Sequence, residues 1–184
     1  MPSIRKDSVW PLAAIHAGAS MFIVALAASV LFDHSIWVLH AFQALIYVGI
    51  MVLAQRGSSL GFGAGFTVAV LWNGANLFAT GFIAAGLHTL ATVLRTGHIS
   101  RPVLLLILVG AAGHFLMIAG CLVCFFRANR ERGQWARFFG GAILVIIALA
   151  LITPLRLHLH QQPLPLDVAP QHDVLAVLGW SRQG

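Results

Sequence analysis

The chain has 184 residues with a formal net charge of +6; 59% of the residues are hydrophobic, only 9% are charged, and the mean hydropathy is +0.90. Soluble domains carry about 25% charged residues, so this composition excludes a soluble enzyme, a disordered chain and a disulfide-stapled secreted module. It predicts an all-α integral membrane protein, and the clustering of the basic residues in one loop makes the positive charge a topology signal rather than a nucleic-acid signal.

Five stretches contain no Asp, Glu, Lys or Arg, and a membrane-spanning helix needs about 20 apolar residues. A transmembrane bundle over 1–156 is therefore predicted, with helices at about 9–32, 35–55, 58–80, 102–126 and 138–155. The third stretch, residues 57–94, is too long for one crossing. We therefore predict that it crosses once, at about 58–80, and that 82–96 is an interfacial extension of the third helix. Its polar residues recur with the period of a helix lying in the membrane interface, at His88, Thr92 and Arg95. The alternative is that 57–101 crosses twice.

The basic residues predict the orientation of this bundle. Four arginines lie between the fourth and fifth apolar stretches, at Arg127, Arg130, Arg132 and Arg137, and such loops stay in the cytoplasm. Five crossings then place the amino terminus in the cytoplasm and the tail, 157–184, on the opposite side, with a short interfacial segment. We expect a multi-pass protein of the bacterial inner membrane.

Several polar side chains fall within the predicted membrane helices, where polar groups are costly. A rise of about 1.5 Å per residue from the cytoplasmic ends places four of them at a similar depth: His40, Gln43, Asn73 and His114. His16 lies lower on the first helix. His40, Gln43 and Tyr47 share one stripe of the second helix, at i, i+3 and i+7. We therefore predict that helices two, three and four face one another.

Two interpretations of this cluster stay open. In the first, the polar residues only hold the helices together through hydrogen bonds. In the second, His40 and His114 are the axial metal ligands of a b-type haem, one imidazole on each side of the iron, and the small residues of 109–113 leave room for the macrocycle. A chlorophyll-type pigment would need a similar site, and a quinone would contact Gln43, Tyr47 or Asn73.

The histidines resemble those of bacterial cytochrome b561-type proteins. The corresponding positions are His16 in Ala-Ile-His-Ala, His40 in Val-Leu-His-Ala-Phe and His114 in Ala-Gly-His-Phe, spread over about 100 residues. Histidines on the first, second and fourth helices bind haem in that family, so the resemblance implies cofactor-binding roles for these three. The chain departs from the family by its fifth helix and by the lack of a fourth intramembrane histidine.

A further pattern is typical of soft-metal sites. His114, Met117, Cys121 and Cys124 share one helix face and suit Cu(I) by ligand type. However, one helix spreads them over about 15 Å, which is too far for a single ion. The two cysteines are more typical of small packing residues.

These observations together predict a function class rather than a reaction. No carboxylate lies in an apolar stretch, and no nucleotide-binding or hydrolase motif occurs. We therefore expect that the protein has no catalytic activity of its own. The leading prediction is a subunit of an electron-transfer complex of respiratory or photosynthetic type. The alternatives are a cofactor-free accessory subunit and a small transporter or channel. The expected partners are lipids and other integral membrane subunits, and nucleic acid is not among them.

Overall fold

A computed structural model describes residues 9–99, 101–128 and 133–160, with the backbone alone for 152–160. These ranges are helical and contain no strand: α1 Val9–Val30, α2 Trp37–Gln55, α3 Ser59–Gly74, α4 Phe82–Thr96, α5 Pro102–Arg127 and α6 Gln134–His160. A short 3₁₀ turn, His34–Ile36, precedes α2, and a π-helical turn, Ala75–Ala79, continues α3. The predicted tail beyond residue 160, together with Arg130 and Arg132, lies outside the described residues.

Five of these helices are long and apolar enough to span a bilayer, namely Val9–Val30, His34–Gln55, Ser59–Ala79, Pro102–Arg127 and Gln134–Leu151. The predicted all-α class with five such helices is therefore confirmed. The remaining helix, α4, has 15 residues, about 22 Å of helix, which is shorter than the hydrocarbon core of a bilayer.

Local sequence separates α4 from its neighbours. Gly81 and Gly97 precede and follow it with φ angles of +66° and +68°, which residues with a Cβ rarely adopt. The Gly97 N–H donates to the Val93 carbonyl and completes the last turn. Pro102 then opens α5 at the first helical position, where its missing N–H costs no hydrogen bond.

The last helix begins at Gln134, one turn before the predicted start at 138. The Gln134 side-chain amide is buried and donates to the Phe125 carbonyl at the end of α5, at 2.7 Å. Trp135 packs edge-on against Phe125, with 4.8 Å between ring centroids. These contacts stabilise a turn that the charge of Arg137 had placed outside the predicted apolar segment.

The core lies where α1, α3 and α5 meet. α1 packs antiparallel to α5 through Gly18 and Gly113, where a Cβ on either residue would lie closer than 3.0 Å to the backbone oxygen of the other. Gly63 and Gly141 bring α3 and α6 equally close. α2 is the most peripheral of the five long helices, with 11% of its apolar segment buried against 39% for α3. Backbone contact through glycine therefore fixes the helices around the core.

Candidate functional site

The centre of the bundle holds a hydrogen-bonded pair of polar side chains. His114 of α5 has 0% of its surface exposed, and Tyr47 of α2 has 2%. The Tyr47 hydroxyl oxygen lies 2.5 Å from His114 Nε2. Both residues belong to the predicted stripes of their helices, so the structure brings together two of the predicted site residues.

Aromatic rings from α1 and α3 enclose this pair. The Phe22 ring centroid lies 4.2 Å from that of His114, and the Trp72 centroid lies 4.7 Å from it. A Cβ at Gly110 would lie 3.1 Å from the Phe22 ring and 3.5 Å from Trp72. The space that small residues of 109–113 leave beside His114 is thus filled by protein side chains.

The number of unsatisfied hydrogen-bonding groups favours one tautomer of His114. If Tyr47 donates to Nε2, the neutral imidazole carries its proton on Nδ1, and only that N–H lacks an acceptor. If Nε2 donates instead, the Tyr47 hydroxyl proton and the Nδ1 lone pair both lack partners. His114 Nδ1 is buried and has no hydrogen-bond partner among the described residues. We therefore assign Tyr47 as the donor.

His40 has a different set of contacts. Its Nδ1 lies 3.1 Å from the Leu26 carbonyl and 3.0 Å from Ser29 Oγ, and Ser29 itself donates to the same carbonyl. The ring lies at a groove of about 210 Å³ between the C-terminal end of α1 and the N-terminal end of α2, where alanines leave space at Ala27, Ala41 and Ala44. His40 therefore links α2 to α1.

The two histidines predicted as axial ligands have separate contacts in the structure. Tyr47, which contacts His114, lies seven residues along α2 from His40, a distance of about 10 Å. The Nε2 of His114 is hydrogen-bonded to Tyr47, and Phe22 and Trp72 pack against the imidazole. A planar macrocycle coordinated by both imidazoles would have to displace these side chains.

The other predicted site residues keep buried polar atoms without partners. Within the described ranges, His16 Nε2, Gln43 Oε1 and both side-chain polar atoms of Asn73 have no hydrogen bond. Asn73 is buried, whereas His16 and Gln43 are half-buried. Each such atom costs about 1–3 kcal/mol. An internal water is the ordinary way for a protein to satisfy atoms of this kind.

The cysteine face of α5 packs against neighbouring helices. Cys121 is buried, Cys124 is half-buried, and both are free thiols. A Cβ at Gly65 of α3 would lie 2.8 Å from Cys121 Sγ. The described part of the chain contains no group of three or more His, Cys, Asp or Glu that could hold a metal ion. Packing accounts for the contacts of both cysteines.

Sequence reasoning missed the aromatic partners of His114 and the serine beside His40. Phe22 follows Ile15 at i+7 on the buried face of α1, and that periodicity could have marked it as a core residue. Trp72 directly precedes Asn73, but nothing in the sequence indicates that its ring reaches α5. Ser29 gave no signal because serine is common in membrane helices.

No protein family, curated protein or solved structure matches the chain.

Proposed function

We propose that the chain is a multi-pass membrane protein that acts as an accessory subunit without a cofactor and stabilises a larger membrane complex. One observation carries this proposal: side chains fill the middle of the bundle. His114 and Met117 are fully buried, and Phe22 and Tyr47 are 2% exposed. Such packing disfavours a macrocycle at that level, and it makes the middle of the bundle a rigid scaffold.

The outer faces supply the surface that a scaffold subunit needs. Of the five long helices, α2 has the smallest buried share, and it exposes large apolar side chains along its length, at Trp37, Phe42, Leu45, Val48 and Val52. α6 exposes a second apolar face that includes Phe139, Ile143, Leu144 and Ile147. In a bilayer, such faces contact either acyl chains or the helices of another subunit. The peripheral position of α2 favours it as the helix that contacts a partner.

The test uses the tagged full chain, extracted from its own membrane in lipid-preserving polymer discs. Leu45→Trp enlarges the outer face of α2, and Leu144→Trp is the matched change on α6, since both leucines are more than half exposed. We expect the unchanged chain and Leu144→Trp to migrate with a larger complex at fixed stoichiometry, and Leu45→Trp to migrate alone. Migration of the unchanged chain by itself would contradict the proposal.

The buried pair favours a second candidate, a one-electron relay within an electron-transfer complex. A high-potential metal centre of a neighbouring subunit would take one electron from Tyr47 and be reduced by it. The phenolic proton would move to His114 Nε2, leaving a neutral phenoxyl radical and an imidazolium. This candidate ranks second because the imidazolium would be buried, with no acceptor for its Nδ1 proton among the described residues.

The relay has a direct spectroscopic test, since Tyr47 is the only tyrosine of the chain. Oxidation of the purified protein should give the paramagnetic resonance signal of a tyrosyl radical, lost in Tyr47→Phe and altered in His114→Gln. A sample that gives no tyrosyl signal under strong oxidants would refute the relay. The optical spectrum of the same sample tests the haem prediction: a Soret band lost in His40→Ala or His114→Ala would support it.

A further inference from the structure

A cavity lies between α4 and the start of α5, away from the buried pair. Gly86 packs against Leu104 and Leu108, and a Cβ at Gly86 would lie 2.8 Å from the Leu104 carbonyl oxygen. Beside this contact the two helices form a half-open cavity of about 510 Å³ lined by Ala85, His88, Thr89, Thr92, Arg101 and Leu104. This volume is within the usual range of small-molecule binding sites.

The charge of the cavity is positive and is not balanced within the described ranges. Asp33 is the one acidic residue there, and its carboxylate accepts hydrogen bonds from Ser35 at the α1–α2 connection. The guanidinium of Arg101 makes no ion pair or hydrogen bond within those ranges. His88 is exposed on the facing side of α4. The cavity therefore presents cationic and imidazole groups without an anion.

The available donors suit an oxyanion. The hydroxyls of Thr89 and Thr92 donate to the carbonyls of Ala85 and His88 in their own helix, so the donors left for a ligand are Arg101 and His88. A guanidinium presents a planar fork of N–H groups that matches two oxygens of a phosphate. Ala85 and Leu104 add an apolar wall, which suits a ligand that is only partly polar.

The position of the cavity favours a lipid as the source of that phosphate. α4 directly follows a helix long enough to span a bilayer, and α5 is the next such helix. In a bilayer spanned by the helices on either side of α4, the connected ends of α4 and α5 would lie at the depth of the headgroup phosphates. We propose that this cavity binds the phosphate of an anionic phospholipid headgroup, with Arg101 as the main ligand and His88 as the second donor.

The experiment measures lipid retention by the purified full chain in native mass spectrometry. Phosphatidylglycerol is compared with a galactosyl diacylglycerol of the same acyl chains, which lacks phosphate, and with inorganic phosphate. Arg101→Gln is compared with Arg95→Gln, an exposed arginine of α4 that does not line the cavity. Equal thermal stability of the two variants controls for folding.

We expect retention of phosphatidylglycerol over the galactolipid, a loss of about tenfold in Arg101→Gln, as for one charge-assisted hydrogen-bonded contact, and little change in Arg95→Gln. Equal retention of both lipids would overturn the proposal, as would equal losses in the two variants. Displacement of the lipid by millimolar inorganic phosphate would overturn the lipid assignment and leave a soluble anion as the ligand. Because no step involves α2 or Tyr47, failure here leaves the proposed scaffold function intact.

Discussion

The bundle is packed differently around His114 and around His40, although small residues line both positions. Beside His114, Gly110 and Gly113 let α1 and α3 approach until Phe22, Trp72 and the Gly18 backbone fill the space. Beside His40, alanines of α1 and α2 leave a groove of about 210 Å³. A run of small residues therefore predicts either close helix packing or a binding cavity, and the neighbouring helix decides which one forms.

Removing each imidazole in turn should give the largest difference in the free energy of unfolding between these two regions. His114→Ala leaves a cavity and an unsatisfied Tyr47 hydroxyl, so we expect a loss of about 3 kcal/mol in the free energy of unfolding. His40→Ala removes a half-buried ring and its hydrogen bond to α1, at a cost of about 1 kcal/mol. Reversible unfolding in mixed micelles measures both values. Equal losses would show that the level around His114 is not the better packed.

Replacing an alanine by leucine tests whether each region has room for a larger side chain. Ala69 of α3 is fully buried, so Ala69→Leu should destabilise the protein by about 2 kcal/mol through overpacking. Ala44 lines the groove, so Ala44→Leu should be accommodated there with a change within about 0.5 kcal/mol. Unfolding midpoints of the two variants, measured at equal detergent composition, give the destabilisation that each substitution causes. Strong destabilisation by Ala44→Leu would indicate that the groove is closed in the folded protein under these conditions.

The sequence predicted the number of long apolar helices but not the pairing of side chains between them. Helical periodicity placed Tyr47 and His114 on the inward stripes, because it reports which residues share a face. Depth counting put His40 level with His114 on the assumption that all helices end in one plane. Tyr47 lies eight residues before the end of α2 and His114 lies thirteen before the end of α5, yet the two side chains are in contact. Equal distances from these helix ends are therefore not equal heights in the bundle. Which ring fills the space beside a glycine depends on contacts that no single helix encodes.

The hydrogen bond between Tyr47 and His114 can be separated from ring packing by a double-mutant cycle. Tyr47→Phe keeps the ring and leaves Nε2 without a donor, so we expect a loss of about 1.5 kcal/mol. In a His114→Leu background the Tyr47 hydroxyl has already lost its partner, so removing it with Tyr47→Phe should cost almost nothing or stabilise the protein. The difference, at least about 1.5 kcal/mol, is the coupling energy of the pair. A coupling of zero would assign the stability of this level to aromatic packing alone.

The turn between α1 and α2 should show the smallest effect, because it lies at the exposed rim of the groove. The Asp33 carboxylate accepts from the Ser35 N–H at 2.9 Å and from its hydroxyl at 2.7 Å, which caps the turn that leads into α2. Asp33→Ala should cost about 1 kcal/mol, whereas Asp33→Asn retains an acceptor and should cost less. Micelle unfolding of both variants measures this ranking. If Asp33→Ala also weakens the contact of His40 with α1, seen as a shift of its ring resonances, the turn positions the groove. If those resonances are unchanged, the hydrogen bonds of His40 alone hold the two helices together at that level.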